Sequence, residues 1–325
     1  FTERMDLSKQ IAGCKKDSGL GVMNVSRERE VISRVTARAG AEMESYVRVL
    51  YQTIFEASRS YQTHLLAGDG EFARQIQQAI ENTPSLFPTR GTVACQGVEG
   101  AYSQQACDKL FAMPNIMYFR HFEGVFQAVS SGLCQYGILP IENSSNGTVG
   151  EVYDLMRNYK FHIVRSIKLC VRHSLLAKKG VALKDITEIY SHEQAIGQCS
   201  QFLKGLKNVK INICENTAAA AKMVAESDRR DIAAISSVPC AHLYGLEVIE
   251  DKVQNNDNNY TRFICISKNL EIYPGANKIS LMLSTSHRPG ALYGLIAKFA
   301  VLGINLTKLE SRPIPGSDFE FIFYF

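Results

Sequence analysis

The stretch Glu142-Asn143-Ser144-Ser145-Asn146 sets a carboxylate, two amides and two hydroxyls side by side, directly after the apolar run Ile138-Leu139-Pro140-Ile141. Short polar side chains at the end of a buried strand are how an open α/β sheet presents binding and acid–base groups. A polar loop that only turns the chain has the same local pattern, so recurrence matters. Tyr190-Ser191-His192-Glu193 precedes one helical segment, Glu215-Asn216-Thr217 the next and Ser236-Ser237 a third. A polar run from Gln254 to Asn259 then delivers Tyr260-Thr261-Arg262-Phe263 at the head of an apolar strand. Each of these alone reads as a helix cap or a turn. Several helix starts along one sheet edge suit carboxylates, because free N–H groups and the helix dipole face the ligand there.

Composition narrows the classes. The 325 residues allow two or three domains, each able to bury a core. With 46% hydrophobic and 21% charged residues the chain reads as an ordinary globular protein, and the formal charge of +4 is too mild for a nucleic-acid footprint. No stretch is long and apolar enough to span a bilayer, and no signal segment opens the chain. Nine scattered cysteines, never spaced Cys-x-x-Cys, read as free thiols of a reducing cytoplasm. Neither they nor the seven histidines cluster as metal ligands, and no phosphate loop occurs, so neither metal nor cofactor is expected.

The elements that must hold these groups change period twice. Residues 1–66 read as helical: Thr2 to Lys16 carries Leu7, Ile11 and Cys14 on one stripe, and Gly19 and Gly21 break it. Asn24 or Ser26 can cap the next helix, whose apolar residues run from Val31 to Phe55 as one helix or as two parted at Gly40. Such a stripe needs a partner, most simply a second copy. Residues 67–90, with Gly68-Asp69-Gly70 and Asn82-Thr83-Pro84 around a helix from Glu71 to Ile80, form a linker. From Gly91 short strands alternate with helices, including a helix from Gln194 to Leu206, which predicts a parallel sheet; Pro140 belongs at the end of its strand. After Pro274-Gly275 come a strand Lys278–Ser284, a helix Tyr293–Leu302, a strand Ile304–Leu309 and a last strand to Phe325.

Arg4, Lys15, Arg27, Glu28, Ser58 and Gln62 recur around the helical stripe, where basic residues are ordinarily a solvated face. With Glu3-Arg4-Met5-Asp6-Leu7, Arg27-Glu28-Arg29-Glu30 and Ser58-x-x-x-Gln62, however, the segment resembles the all-helical chorismate mutase domain, departing from it at Asn24, where that family usually has aspartate. The resemblance implies that Arg4, Lys15 and Arg27 clamp a dicarboxylate, that Lys15 and Gln62 bond an ether oxygen gaining charge, and that Glu28 holds the substrate hydroxyl, with Ser58 alongside. A pericyclic rearrangement suits such a site, since it needs a compressed conformer and aimed donors but no nucleophile.

Gly97-x-x-Gly100-x-Tyr102-Ser103, Pro140-Ile141-Glu142-Asn143-Ser144, Tyr190-Ser191-His192 with Gln198-Cys199, Leu243-Tyr244-Gly245-Leu246 and Thr261-Arg262-Phe263 together resemble prephenate dehydratase, in order and spacing. That implies two α/β lobes in the manner of periplasmic solute-binding proteins, over 91–268. Lobe one is expected at 91–166 plus 246–268 and lobe two at 167–245. Thr261 is the implied proton donor, with Glu142 as the alternative if burial raises its pKa. Asn143, Ser191 and Gln198 are implied in catalysis, and Ser144, Arg262, Phe263, Tyr102 and Ser103 in substrate binding.

Gly290-Ala291-Leu292 and Glu310-Ser311-Arg312-Pro313 are similar to a phenylalanine-sensing ACT domain, implied at 275–325 with those first six residues at the effector. The resemblances place both chain ends inside domains. The fold expected is thus multidomain: an all-α mutase-type domain, a two-lobed α/β dehydratase domain and an incomplete α+β ACT domain. The function implied is a cytoplasmic enzyme of phenylalanine biosynthesis acting on chorismate and prephenate, inhibited by phenylalanine, and assembled as a homodimer or homotetramer. Two other readings stand beside it: an arogenate dehydratase, and a two-lobed amino-acid or keto-acid sensor without chemistry.

Overall fold

The computed structural model describes the chain except residues 19–20, 67–69, 288, 315 and 317–319, together with the side chains of Lys16 and Asp17. The glycine break expected at Gly19, the Gly68-Asp69 pair and Arg288 therefore lie outside the described residues. Two compact units are present: one joins residues 1–77 with 277–325, and the other is 78–276. The helical and C-terminal segments, read from sequence as separate domains, thus share one unit.

In the first unit, α1 (Thr2–Asp17) and α2 (Val25–Ala39) pack against α3 (Glu44–Leu66). Asn24 caps α2, its Oδ1 accepting the Arg27 N–H at 3.0 Å, and Gly40 ends it at φ 77°, a conformation glycine takes without a Cβ penalty. The apolar run is therefore two helices. α3 buries Phe55, Ser58 and Gln62, while Leu7, Met43, Tyr46, Val49 and Leu50 stay exposed. The helix α4 (Glu71–Asn82) leads into the second unit.

The second unit carries two sheets. The first takes β1 (Arg90–Gln96), β2 (Met113–Phe119), β3 (Tyr136–Asn143), β4 (Gly147–Thr148) and β5 (His162–Cys170), with α5 (Tyr102–Leu110), α6 (Phe122–Ser130) and α7 (Gly150–Tyr159) between them. The second takes β6 (Ser174–Ala177), β7 (Glu188–Ser191), β8 (Lys210–Ile213), β9 (Ile232–Ser236) and β10 (Glu247–Glu250), with α8 (Glu193–Gln198), α9 (Ser200–Lys204), α10 (Thr217–Glu226) and α11 (Val238–Tyr244). β11 (Tyr260–Ser267) then returns to the first sheet, giving the orders β2-β1-β3-β11-β5 and β10-β6-β9-β7-β8.

Four sequence expectations change here. The sheets are mixed: β11 runs antiparallel to β3 and β5, and β6 antiparallel to β9 and β10, because those strands enter from the opposite end after the chain changes lobe. The lobe boundaries move, since β5 pairs with β11 through Cys170 and residues 247–250 pair with β6 in the second sheet. Pro140 lies inside β3, in register with Phe263: the pairing jumps there from Arg262↔Glu142 to Phe263↔Pro140, so a bulge at Ile141 sits beside the residue that has no N–H to give. The helix expected over 194–206 is broken at Cys199 into α8 and α9.

The chain crosses between the lobes twice, and the crossings hold each other. Val171 N–H donates to Asn259 O at 2.7 Å and Val253 N–H to His173 O at 2.9 Å. Each lobe has its own apolar core, around Phe111, Ile138 and Cys265 in one and around Leu175, Leu176 and Ile235 in the other. Back in the first unit, β12 (Met282–Ser284), α12 (Ala291–Val301), β13 (Glu310–Pro313) and β14 (Phe321–Tyr324) form a three-stranded sheet, order β12-β14-β13, with one helix. Residues 304–309 are not the expected strand: Ile304 N–H closes the end of α12 on Phe299 O, and pairing begins at Glu310.

Candidate active site

The register of β3 and β11 places Thr261 opposite Asn143, at the lobe crossing. Asn143 Nδ2 donates to Thr261 Oγ1 at 2.9 Å and to Asn259 Oδ1 at 2.7 Å. Its Oδ1 accepts the N–H groups of Ser145 and Asn146, both at 2.9 Å, an Asx turn that fixes the amide's orientation. Asn259 passes the network on: its Nδ2 donates to Gln198 Oε1 at 2.9 Å, where His173 Nε2 also approaches at 2.9 Å. Because a carbonyl oxygen only accepts, His173 carries its proton on Nε2. The ring is 2% exposed, burial lowers its pKa, and its Nδ1 finds no partner among the described residues. Thr261, Asn143, Asn259, Gln198 and His173 thus form one connected line from β3 and β11 to α8.

Ser144 Oγ donates to Asn258 O at 3.0 Å and accepts Tyr260 N–H at 2.9 Å, pinning the polar loop to β11. Arg262 Nε bonds Glu142 Oε1 at 2.8 Å across the strands, both side chains about a quarter exposed. Tyr102, at the start of α5, donates its hydroxyl to Arg172 O at 2.5 Å, and burial raises its pKa.

Three predicted residues stand elsewhere. Ser191 is fully buried and spends its hydroxyl on Ile235 O at 2.7 Å. Phe263 packs in the core of the first lobe, and Ser103 is buried on α5. The helix starts read as possible anion sites are partly occupied: Asn216 Oδ1 takes Ala219 N–H at 2.7 Å and His192 Nδ1 takes Gln194 N–H at 3.3 Å. Asn259 and His173 were missed by sequence reasoning. Asn259 ends a run of six polar residues with nothing to single it out, and His173 belongs to no strand-end motif.

The helical segment holds a second cluster. Lys15 Nζ lies 3.5 Å from Gln62 Oε1, also donates to Val22 O, and lines a hollow of about 300 Å3 with Leu7, Gln10, Ile11, Cys14 and Ser18. Arg4 stacks over the Phe55 ring at 5.6 Å, and its Nε, like Ser58 Oγ, is buried without a partner among the described residues. Glu28 pairs with Arg59, which also bonds Glu56 at 2.5 Å. Arg27 points away: it is exposed and bonded to Glu30 at 2.7 Å. In the C-terminal segment Gly290 caps α12 at φ 80°, Ala291 and Leu292 start that helix, and Glu310, Ser311 and Arg312 lie on β13.

The prephenate dehydratase family model matches residues 93–271, and the type II chorismate mutase model matches residues 1–63. The chain belongs to the prephenate dehydratase family. A bifunctional chorismate mutase/prephenate dehydratase of Escherichia coli K12 is 31% identical over all of this chain and 83% of its own length. Arogenate dehydratase/prephenate dehydratase 2 of Arabidopsis thaliana is 38% identical over 74% of this chain, which spans about three-fifths (62%) of that plant protein. The structure of the Arthrobacter aurescens prephenate dehydratase with L-Phe superposes with a TM-score of 0.62 at 27% identity, over 72% of this chain and 78% of that one. The dehydratase domain therefore contains both lobes and the Thr261 line, and the mutase domain precedes it. No described helix is long and apolar enough to cross a membrane.

Proposed function

We propose that the chain rearranges chorismate to prephenate in its mutase domain and converts prephenate to phenylpyruvate at the lobe crossing. The single observation that carries the second step is the Asn143–Thr261 pair. By accepting the amide N–H, the Thr261 oxygen is polarised and its proton stays available, in a site that is only 8% exposed at that residue. In the step itself the ring carboxylate leaves as carbon dioxide, its bonding pair becomes ring π-density, and the departing hydroxyl takes a proton to leave as water. Aromatisation supplies the driving force. A weak acid such as threonine suffices when the proton moves as the C–O bond breaks.

Glu142 suits the alternative role less well, because Arg262 holds it as an acceptor. Arg262 and the Lys15–Arg4 cluster are the cations for the substrate carboxylates at the two sites. Three further assignments belong to the same reading. The segment from β12 to β14 is a phenylalanine-sensing ACT domain around Gly290–Leu292 and Glu310–Arg312. The exposed apolar face of the mutase helices takes a second copy of the chain. The protein works in the cytoplasm without a cofactor. Arogenate is a second substrate to test, since similar plant proteins are named arogenate dehydratases.

The test is to supply chorismate, prephenate and arogenate separately, following chorismate loss and phenylpyruvate or phenylalanine formation with and without added phenylalanine. Prephenate unchanged by the purified chain would remove the dehydratase reading.

A further inference from the structure

Arg59 follows Ser58 on α3 and belongs to none of the sequence motifs, yet it holds two carboxylates at once. Its Nη1 donates to Glu28 Oε1 on α2, and its Nη2 donates to Glu56 Oε1 one turn earlier on α3 at 2.5 Å. All three side chains are largely buried, at 17% exposure for Arg59, 23% for Glu28 and 20% for Glu56. Two carboxylates share one guanidinium, so neither can be fixed without it. Glu56 Oε2 has no partner among the described residues, which leaves that carboxylate held through Oε1.

The same oxygen faces the C-terminal segment. A Cβ built at Gly294 of α12 lies 3.1 Å from Glu56 Oε1, tighter than an ordinary contact. One residue earlier, the Tyr293 hydroxyl meets Thr53 Oγ1 of α3 at 2.7 Å. α12 thus lies on α3 at the point where Glu56 grips Arg59, and the absence of a side chain at 294 lets that carboxylate stay in place.

We propose that Arg59 is the positioning residue for Glu28 in the rearrangement, and that helix α12 of the C-terminal segment acts on the same site through Glu56. This rests on the mutase reading, in which Glu28 holds the substrate hydroxyl. Any displacement of α12 toward α3 moves Glu56 Oε1 first, then Arg59, then Glu28, so the C-terminal segment can tune rearrangement without touching the substrate.

The experiment uses the full chain and measures kcat and KM for chorismate, with prephenate dehydration by the same protein as an internal control and far-ultraviolet dichroism as a check on the helices. If the wild-type chain does not rearrange chorismate, the mutase reading fails and the relay is not what failed. With an active wild type, Arg59→Met lowers kcat/KM for chorismate about 10- to 100-fold, mostly in kcat, the range for a charge-assisted bond. Arg59→Lys recovers a large part of it. Gly294→Leu, which favours the helix on propensity, lowers the same constant and adds little in the Arg59→Met background. Dehydration of prephenate stays within about twofold throughout. Wild-type kcat in folded Arg59→Met, or full additivity of the two substitutions, overturns the proposal.

Discussion

Thr261 Oγ1 accepts a hydrogen bond from Asn143 Nδ2 at 2.9 Å, across paired strands at the point where the chain crosses between lobes. Among the described residues no acceptor takes the Thr261 proton in return, the arrangement that the proposed donor role requires. Thr261→Ala is therefore expected to cut dehydration kcat by about 10²- to 10⁴-fold with KM nearly unchanged, the range for loss of a positioned proton donor. Thr261→Ser keeps most of the rate. Single-turnover kinetics on prephenate separates the two, and an alanine variant with undiminished kcat would exclude the hydroxyl from the chemistry.

The Glu142–Arg262 pair makes a different prediction. Each group is about a quarter exposed and bonded at 2.8 Å, so Arg262→Met removes this bond from Glu142 and costs roughly 1–3 kcal/mol after allowance for partial exposure. If Arg262 anchors a substrate carboxylate as proposed, the same variant should also raise KM for prephenate. Glu142→Gln should leave kcat within about tenfold, since the carboxylate serves as an acceptor. Urea unfolding and steady-state kinetics on both variants check this, and a dead Glu142→Gln beside an active Thr261→Ala would exchange the two roles.

The sequence makes legible two polar stretches that the fold brings together. The strand-end stretches at 142–146 and 260–263 announce themselves by an abrupt change from apolar to short polar side chains, and β3 and β11 do bring them together. Sheet membership was harder. Four residues at 247–250 after a glycine turn carry no local record of which sheet they join, since pairing is non-local. Pro140 misleads for a related reason: only the register shows the strand continuing past it, with a bulge at the neighbouring Ile141. Asn259 and His173 gain meaning from a network spanning both lobe crossings, which no window of sequence contains.

His173 gives a pH prediction whose sign follows from burial. Its folded pKa lies below the ordinary 6.5, and burial lowers those of His162 and His192 as well. The unfolded chain then binds more protons than the folded one just below pH 6.5. Stability is complete above that value, falls as pH drops through 6.5, and stops falling below the folded pKa values. Thermal unfolding should show a lower Tm at pH 5.5 than at pH 7.5. His173→Gln should lose part of that difference, because one of the three sites no longer titrates; an identical pH dependence in this variant would show that His173 is not a contributor.

Gly100 tests whether the lobes must approach closely. It stands at φ 87°, and an added Cβ would lie 3.0 Å from both Cys240 Sγ and Leu243 Cδ2 of α11, in the other lobe. The same turn is held there by Cys240 Sγ on Gly100 O at 3.4 Å and by the Tyr244 hydroxyl on Glu99 O at 2.5 Å. Gly100→Ala therefore adds backbone strain of about 1–3 kcal/mol and wedges the first lobe off α11. The expected result is a Tm lower by roughly 2–10 °C and a KM for prephenate raised several-fold, with kcat less affected. Adding Cys240→Ala removes one of the two clashing atoms but not the positive φ, so it should recover part of the KM change while leaving most of the Tm loss. Calorimetry and kinetics on the single and double variants distinguish these contributions, and recovery of Tm without recovery of KM would show that lobe approach does not govern substrate binding.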